Sequence, residues 1–136
     1  MEPSPLAHIV VVDDDRLLGL AIKDLLHQAN YHVTVLLDGS EVSRLLDTVQ
    51  VDLFLLDLVM THVDGLAALK EIRERSPKSK VIMLSGYGTE EYVRQAENLG
   101  ADGFIVKPFG FETLVRRIQS VLSGAAGNPF LQDPIQ

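Results

Sequence analysis

The chain has no cysteine. That rules out a disulfide framework, a thiol nucleophile and a thiolate metal site, and it is compatible with a reducing cytoplasm. It has no basic excess either: 12 lysines and arginines stand against 19 aspartates and glutamates, and the formal net charge of −7 argues against direct nucleic-acid binding by this segment. No apolar stretch is long enough to cross a bilayer, and Met1-Glu-Pro-Ser-Pro has neither the basic segment nor the apolar core of a signal peptide, so no membrane partner is expected. Internal repeats and low-complexity tracts are missing too. What remains, 136 residues at 46% hydrophobic and 23% charged, is the composition of one globular domain with a single core.

Within that domain, apolar runs rich in branched residues alternate with amphipathic segments. This is the pattern of βα units around a parallel sheet. Strands are expected over His8 to Val12, His32 to Leu36, Leu53 to Leu56, Val81 to Leu84 and Gly103 to Val106. Helical spacing connects Leu17, Leu18, Ala21, Ile22, Leu25 and Leu26; Val42, Leu45 and Leu46; Leu66, Leu69 and Ile72; Val93, Ala96 and Leu99; and Leu114, Val115, Ile118, Val121 and Leu122. Ser40 is placed to cap the second helix and Asp15 the first, while Asp64-Gly65 precedes the third and Gly100 follows the fourth. From Gly124 to Gln136 no period is sustained, and the segment reads as a linker or tail.

The chemistry gathers at the strand ends. Asp13 and Asp14 close the first run, Asp57 the third, Ser85 the fourth and Lys107 the fifth. In an open parallel sheet the carboxyl ends of the strands border the ligand crevice. Three carboxylates there would repel one another unless a divalent cation joined them, and a hydroxyl and an ammonium beside them suit phosphoryl oxygens. The pattern reads as phosphorylation of an aspartate.

Val11-Val12-Asp13-Asp14, Asp57 after its apolar strand, Asp64-Gly65, Ser85-Gly86 and Gly100-Ala-Asp-Gly-Phe-Ile-Val-Lys107-Pro108-Phe109 occur in one order and at one spacing. Over about residues 7 to 123 the sequence resembles the receiver domain of two-component response regulators. The resemblance implies a flavodoxin-like, doubly wound five-stranded parallel sheet in the order 2-1-3-4-5 with five helices, flanked by an N-terminal extension (1–6) and a linker or tail (124–136). It implies that Asp57 accepts a phosphoryl group from the phosphohistidine of a sensor histidine kinase or phosphotransfer protein. Asp13, Asp14, Asp57 and the backbone carbonyl of Val59 would hold Mg²⁺, with Asp14 the direct and Asp13 the water-mediated partner. Ser85 and Lys107 would contact the phosphoryl oxygens, with Lys107 directed inward by a cis peptide to Pro108. Ser85 and Phe104 would form the switch, read out on the face of helix 4, strand 5 and helix 5, which also offers a homodimer surface. A cytoplasmic switch that catalyses its own aspartyl phosphorylation and dephosphorylation, serving a C-terminal output domain or a separate partner, is the implied whole.

Some positions depart from the family pattern or tune it. Thr61 stands where many receivers have proline, and Phe104 lacks the hydroxyl of a tyrosine. Val59 and Tyr87, two positions after Asp57 and Ser85, are apolar and bulky, so slow autodephosphorylation is expected. His62 is expected to be exposed on the loop, and His8, His27 and His32 show no metal-ligand spacing. Two rivals use related architecture or chemistry. A flavin module needs a Ser/Thr/Gly-rich phosphate loop where this chain has Asp13-Asp14-Asp15, and an aspartyl phosphatase usually needs an acid where it has Val59. The stronger alternative is a receiver-like interaction domain that no longer switches, although such domains usually lose one of the residues retained here.

Overall fold

The computed structural model describes residues 7–60, 64–86 and 90–124. In chain order it consists of β1 (His8–Val12), α1 (Arg16–Gln28), β2 (His32–Leu36), α2 (Glu41–Leu46), β3 (Leu53–Asp57), α3 (Gly65–Arg75), β4 (Lys80–Ser85), α4 (Glu90–Asn98), β5 (Gly103–Val106) and α5 (Phe111–Ser123). All strand pairs are parallel and the sheet order is β2-β1-β3-β4-β5. β3 runs one residue further than its apolar run and takes in Asp57, and β4 likewise takes in Ser85.

The unbroken apolar character of the strands follows from burial on both faces. Val10, Val12, Phe54, Leu56, Val81 and Met83 point to one side, into a cluster with Val42 of α2, Leu69 and Ile72 of α3, and Ala96 of α4. Their neighbours Ile9, Val11, Leu53, Leu55, Ile82 and Leu84 point to the other, against Ile22 and Leu26 of α1 and Leu114, Ile118 and Val121 of α5. Successive side chains alternate between faces, so every residue of a central strand needs to be apolar. Each fully buried aliphatic side chain contributes about 1.5–3 kcal/mol.

Helix starts were partly anticipated. Asp15 caps α1 by accepting from the Leu18 amide at 3.1 Å, and Asp64 caps α3 by accepting from the Leu66 amide at 2.9 Å. Ser40 does not cap α2 with its side chain: its backbone is already helical, and Asp38 takes the role, its Oδ1 accepting from the Ser40 amide at 2.9 Å and its carbonyl from the Glu41 amide at 3.1 Å. α4 ends before Leu99, whose side chain lies exposed beyond it. No helix among the described residues is long and apolar enough to cross a membrane.

Candidate functional site

The crevice is set by strand register. Val12 of β1 lies beside Leu56 of β3, so the chain leaves both strands at the same level and Asp13 emerges next to Asp57. Carboxylate oxygens of Asp13, Asp14 and Asp57 all lie within 4.8 Å of one another. Asp13 is fully buried, Asp57 is 5% exposed and Asp14 is exposed. Ser85, 1% exposed, ends β4 opposite Val106, and the Lys107 amide donates to the Ser85 carbonyl at 2.7 Å, so the two residues stand at the ends of neighbouring strands. The Lys107-Pro108 peptide is cis, as the resemblance implied.

Charge in the crevice is unevenly matched. Lys107 Nζ lies 2.8 Å from Asp13 Oδ2 and 3.7 Å from Asp57 Oδ1. The other Asp13 oxygen accepts the Asp15 amide at 2.9 Å. Asp57 accepts a weak backbone bond from the Val59 amide at 3.3 Å. Burial first, and then the neighbouring charge of Asp13, push the Asp57 carboxyl up from 3.8 to about 6; Lys107 and the Val59 amide counteract this in part, while Asp14 adds to it. Burial works against the Lys107 ammonium, but its hydrogen bond to Asp13 and the surrounding carboxylates outweigh burial and raise its pKa. An acid made hard to ionise by burial and then by neighbouring acids is the electrostatic signature of a place for positive charge. The donors are hard oxygens drawn from few side chains, which fits a cation such as Mg²⁺ that keeps part of its water shell.

The backbone behind Asp57 leaves no room for a side chain. A Cβ on Gly65 would stand 2.3 Å from the Asp57 carbonyl oxygen and 2.6 Å from Leu58 Cα, and the Gly65 amide donates to the Leu58 carbonyl at 2.9 Å. Sequence reading took Asp64-Gly65 as helix punctuation; its further role is to let α3 begin directly against the strand that carries the candidate nucleophile. Gly86 has the opposite character, since a Cβ there would meet nothing within 4 Å. Val59 is 54% exposed at the crevice mouth. Tyr87, Thr61 and His62 lie outside the described residues.

Phe104 is 3% exposed, its ring in the apolar cluster that includes Met83, Ala96 and Ala101. Its carbonyl accepts from Arg117 at 3.2 Å. Arg117 was not singled out from sequence, although a cation on the inward stripe of α5, beside Leu114, Ile118 and Val121, was the available signal. His8 and His32 stack at the far end of the sheet, ring centroids 4.2 Å apart. The acidic triplet is the one cluster of metal-ligating side chains among the described residues.

Comparison with known proteins agrees with this geometry. The transcriptional regulatory protein CpxR of Klebsiella pneumoniae is 41% identical over 114 residues, covering 84% of this chain and 48% of the relative, and CpxR of Escherichia coli K12 is 40% identical over the same length. The chain thus spans about half the length of the curated relatives it matches. A CheY-like receiver domain protein from Methanospirillum hungatei superimposes with a TM-score of 0.84 at 28% identity, covering 88% of this chain and 95% of the other. The BeF3-activated receiver domain of DrrB superimposes with a TM-score of 0.79 at 28% identity, covering 86% and 97%. The pattern of the response regulator receiver domain matches residues 9–119, from β1 into α5, and the chain belongs to that family.

Proposed function

We propose that this domain is a phosphoacceptor switch in which Asp57 takes a phosphoryl group from the phosphohistidine of a sensor histidine kinase or phosphotransfer protein. A carboxylate oxygen of Asp57 attacks phosphorus, the P–N bond breaks, and the imidazole leaves with the electron pair and gains a proton from solvent. The observation that supports this most is the convergence of Asp13, Asp14 and Asp57 within 4.8 Å, with Lys107 at 3.7 Å from the proposed nucleophile. Asp13, Asp14, Asp57 and the Val59 carbonyl are the residues that would hold Mg²⁺. When bound, the cation would neutralise the carboxylates, keep Asp57 ionised and screen the incoming phosphoryl oxygens.

Ser85 and Lys107 are placed to grip those oxygens, so the protein's share of catalysis is positioning and charge neutralisation. Phosphorylation then biases two conformations of the loop after Ser85 and of the α4–β5–α5 face. Phe104 is already buried in this structure, so this reading puts the larger movement on Ser85. Residues 7–123 act as the receiver and 124–136 as the connection to an output domain, in keeping with relatives of which the matched segment makes up 48%. The site belongs in the cytoplasm, where a histidine kinase can reach it, and α4–β5–α5 is the proposed homodimer face. Exposed, apolar Val59 at the mouth is proposed to slow the water that would hydrolyse the acyl phosphate.

The test is intact mass after incubation with a small-molecule phosphodonor and Mg²⁺, against Asp57→Asn and a chelator. One phosphoryl adduct that requires both Asp57 and metal is expected, with a lifetime longer than seconds. Absence of an adduct in protein that binds Mg²⁺ would favour the non-switching interaction domain.

A further inference from the structure

Arg73 of α3 packs under the turn that joins α4 to β5, at the amino end of the sheet, and its guanidinium is only partly engaged. Gly100 rests directly on the arginine stem, since a Cβ there would stand 2.9 Å from Arg73 Cδ. Nη1 lies 3.7 Å from Asp102 Oδ2, an oxygen that already accepts the Val81 amide at 2.9 Å. A closed arginine–carboxylate pair has N···O distances of roughly 2.7–2.9 Å, so this one stands open. Nε and Nη2 form the edge of the guanidinium that grips a carboxylate through two parallel bonds, and both are buried with no hydrogen-bond partner among the described residues. Buried donors are normally satisfied. Solvent does not reach these two atoms, so their acceptor has to come from a rearrangement of the protein around them, and Asp102 is the anion paired with the same side chain. The helix above is lightly held: among the described residues of α4, Ala96 alone is buried.

We propose that Arg73 is a two-position latch on the α4–β5 turn. In the open position, the one in this structure, the guanidinium faces Asp102 with Nη1 alone. In the closed position the guanidinium turns its Nε–Nη2 edge onto the Asp102 carboxylate, and the turn moves by about an ångström to bring the pair to bonding distance. Closing satisfies the two buried donors and draws the turn, with the end of α4 that precedes it, toward α3. Gly100 makes the approach possible, because the turn presents no side chain to the arginine stem. Arg73 is thus a positioning residue for α4, acting from the end of the sheet opposite the crevice. Its consequence for signalling rests on the α4–β5–α5 readout proposed above, whereas the latch itself operates without phosphorylation.

Relaxation-dispersion NMR on the full chain, with no phosphodonor present, reads the two positions directly. Microsecond-to-millisecond exchange is expected at Arg73 Nε and at the amides of Leu99 to Asp102. It is expected to be lost in Arg73→Met, which fills similar space without donors, and in Arg73→Lys, which keeps the charge but not the planar fork. Asp102→Asn, which still offers an oxygen to the Val81 amide, is expected to lose it as well. Absence of exchange in the unaltered chain overturns the inference, and this arm decides even if no variant folds. Exchange that persists in any one of the three variants overturns it too, because a latch made by the arginine fork and the Asp102 carboxylate cannot survive without either. Formation of the phosphoryl adduct on Asp57 is a separate measurement, so loss of the adduct leaves the latch standing and loss of the latch leaves the adduct standing.

Discussion

The two ends of the sheet hold polar groups in different ways. At the amino end, Asp52 Oδ2 accepts the His8 amide at 2.7 Å, Asp102 Oδ2 accepts the Val81 amide at 2.9 Å and the Ser79 hydroxyl donates to the Val51 carbonyl at 2.6 Å. Each group there closes a loose strand terminus, and the purpose is structural. At the carboxyl end, three carboxylates lie within 4.8 Å of one another, two of them share Lys107, and Asp57 has its pKa pushed up to about 6. The same residue type thus fastens the fold at one end and works against it at the other. Unrelieved charge at the second end marks where an external cation and a phosphoryl group are proposed to bind.

The largest expected break in this comparison is Gly65→Ala. Its Cβ would meet the backbone under Asp57 at 2.3 Å, so either α3 or β3 must shift. A loss of about 3 kcal/mol or more in urea unfolding is expected, together with loss of the phosphoryl adduct. Unaltered stability would mean that α3 can start elsewhere at no cost.

Asp57→Asn acts in the other direction and makes the carboxyl end resemble the amino end. A carboxyl whose folded pKa lies near 6, against 3.8 unfolded, binds protons more tightly in the native state between those values. Stability therefore falls as pH rises from about 4 to about 6, and the full penalty persists at neutral pH. In chelator, Asp57→Asn is expected to be more stable than the parent by about 1–3 kcal/mol at pH 7.5 and to lose most of the slope in that window. Mg²⁺ should narrow the difference by stabilising the parent. A parent that gains stability between pH 4 and 6 with no contribution from Asp57 would contradict the charge-crowding account.

Smaller effects belong to the groups that fasten the fold. Asp52→Ala leaves the His8 amide without its partner and is expected to cost about 1–2 kcal/mol, with Mg²⁺ affinity unchanged. Asp64→Ala removes the α3 cap at the Leu66 amide and is expected to cost about 1 kcal/mol, visible as a lower midpoint in thermal melts. A change in Mg²⁺ affinity in Asp52→Ala would show that the two ends are not independent.

The sequence by itself determined the alternation of strands and helices, because a residue buried on both faces of a parallel sheet has to be apolar at every position, and that continuity is visible in runs such as Leu53 to Leu56. It also determined which side chains meet in the crevice, since they sit one step past the apolar runs and the strand order brings those ends together. Ser40 was misread as the cap of α2 because an N-cap preference records residue type and not the φ and ψ actually adopted. The close approach of Gly65 to the Asp57 backbone, the burial of Arg117 against the Phe104 carbonyl and the choice of Lys107 for Asp13, 94 positions away, were decided only by the tertiary structure. These are distances of a few ångströms between atoms remote in the chain. Local periodicity carries no record of them, because they arise when helices and strands of particular lengths settle against one another.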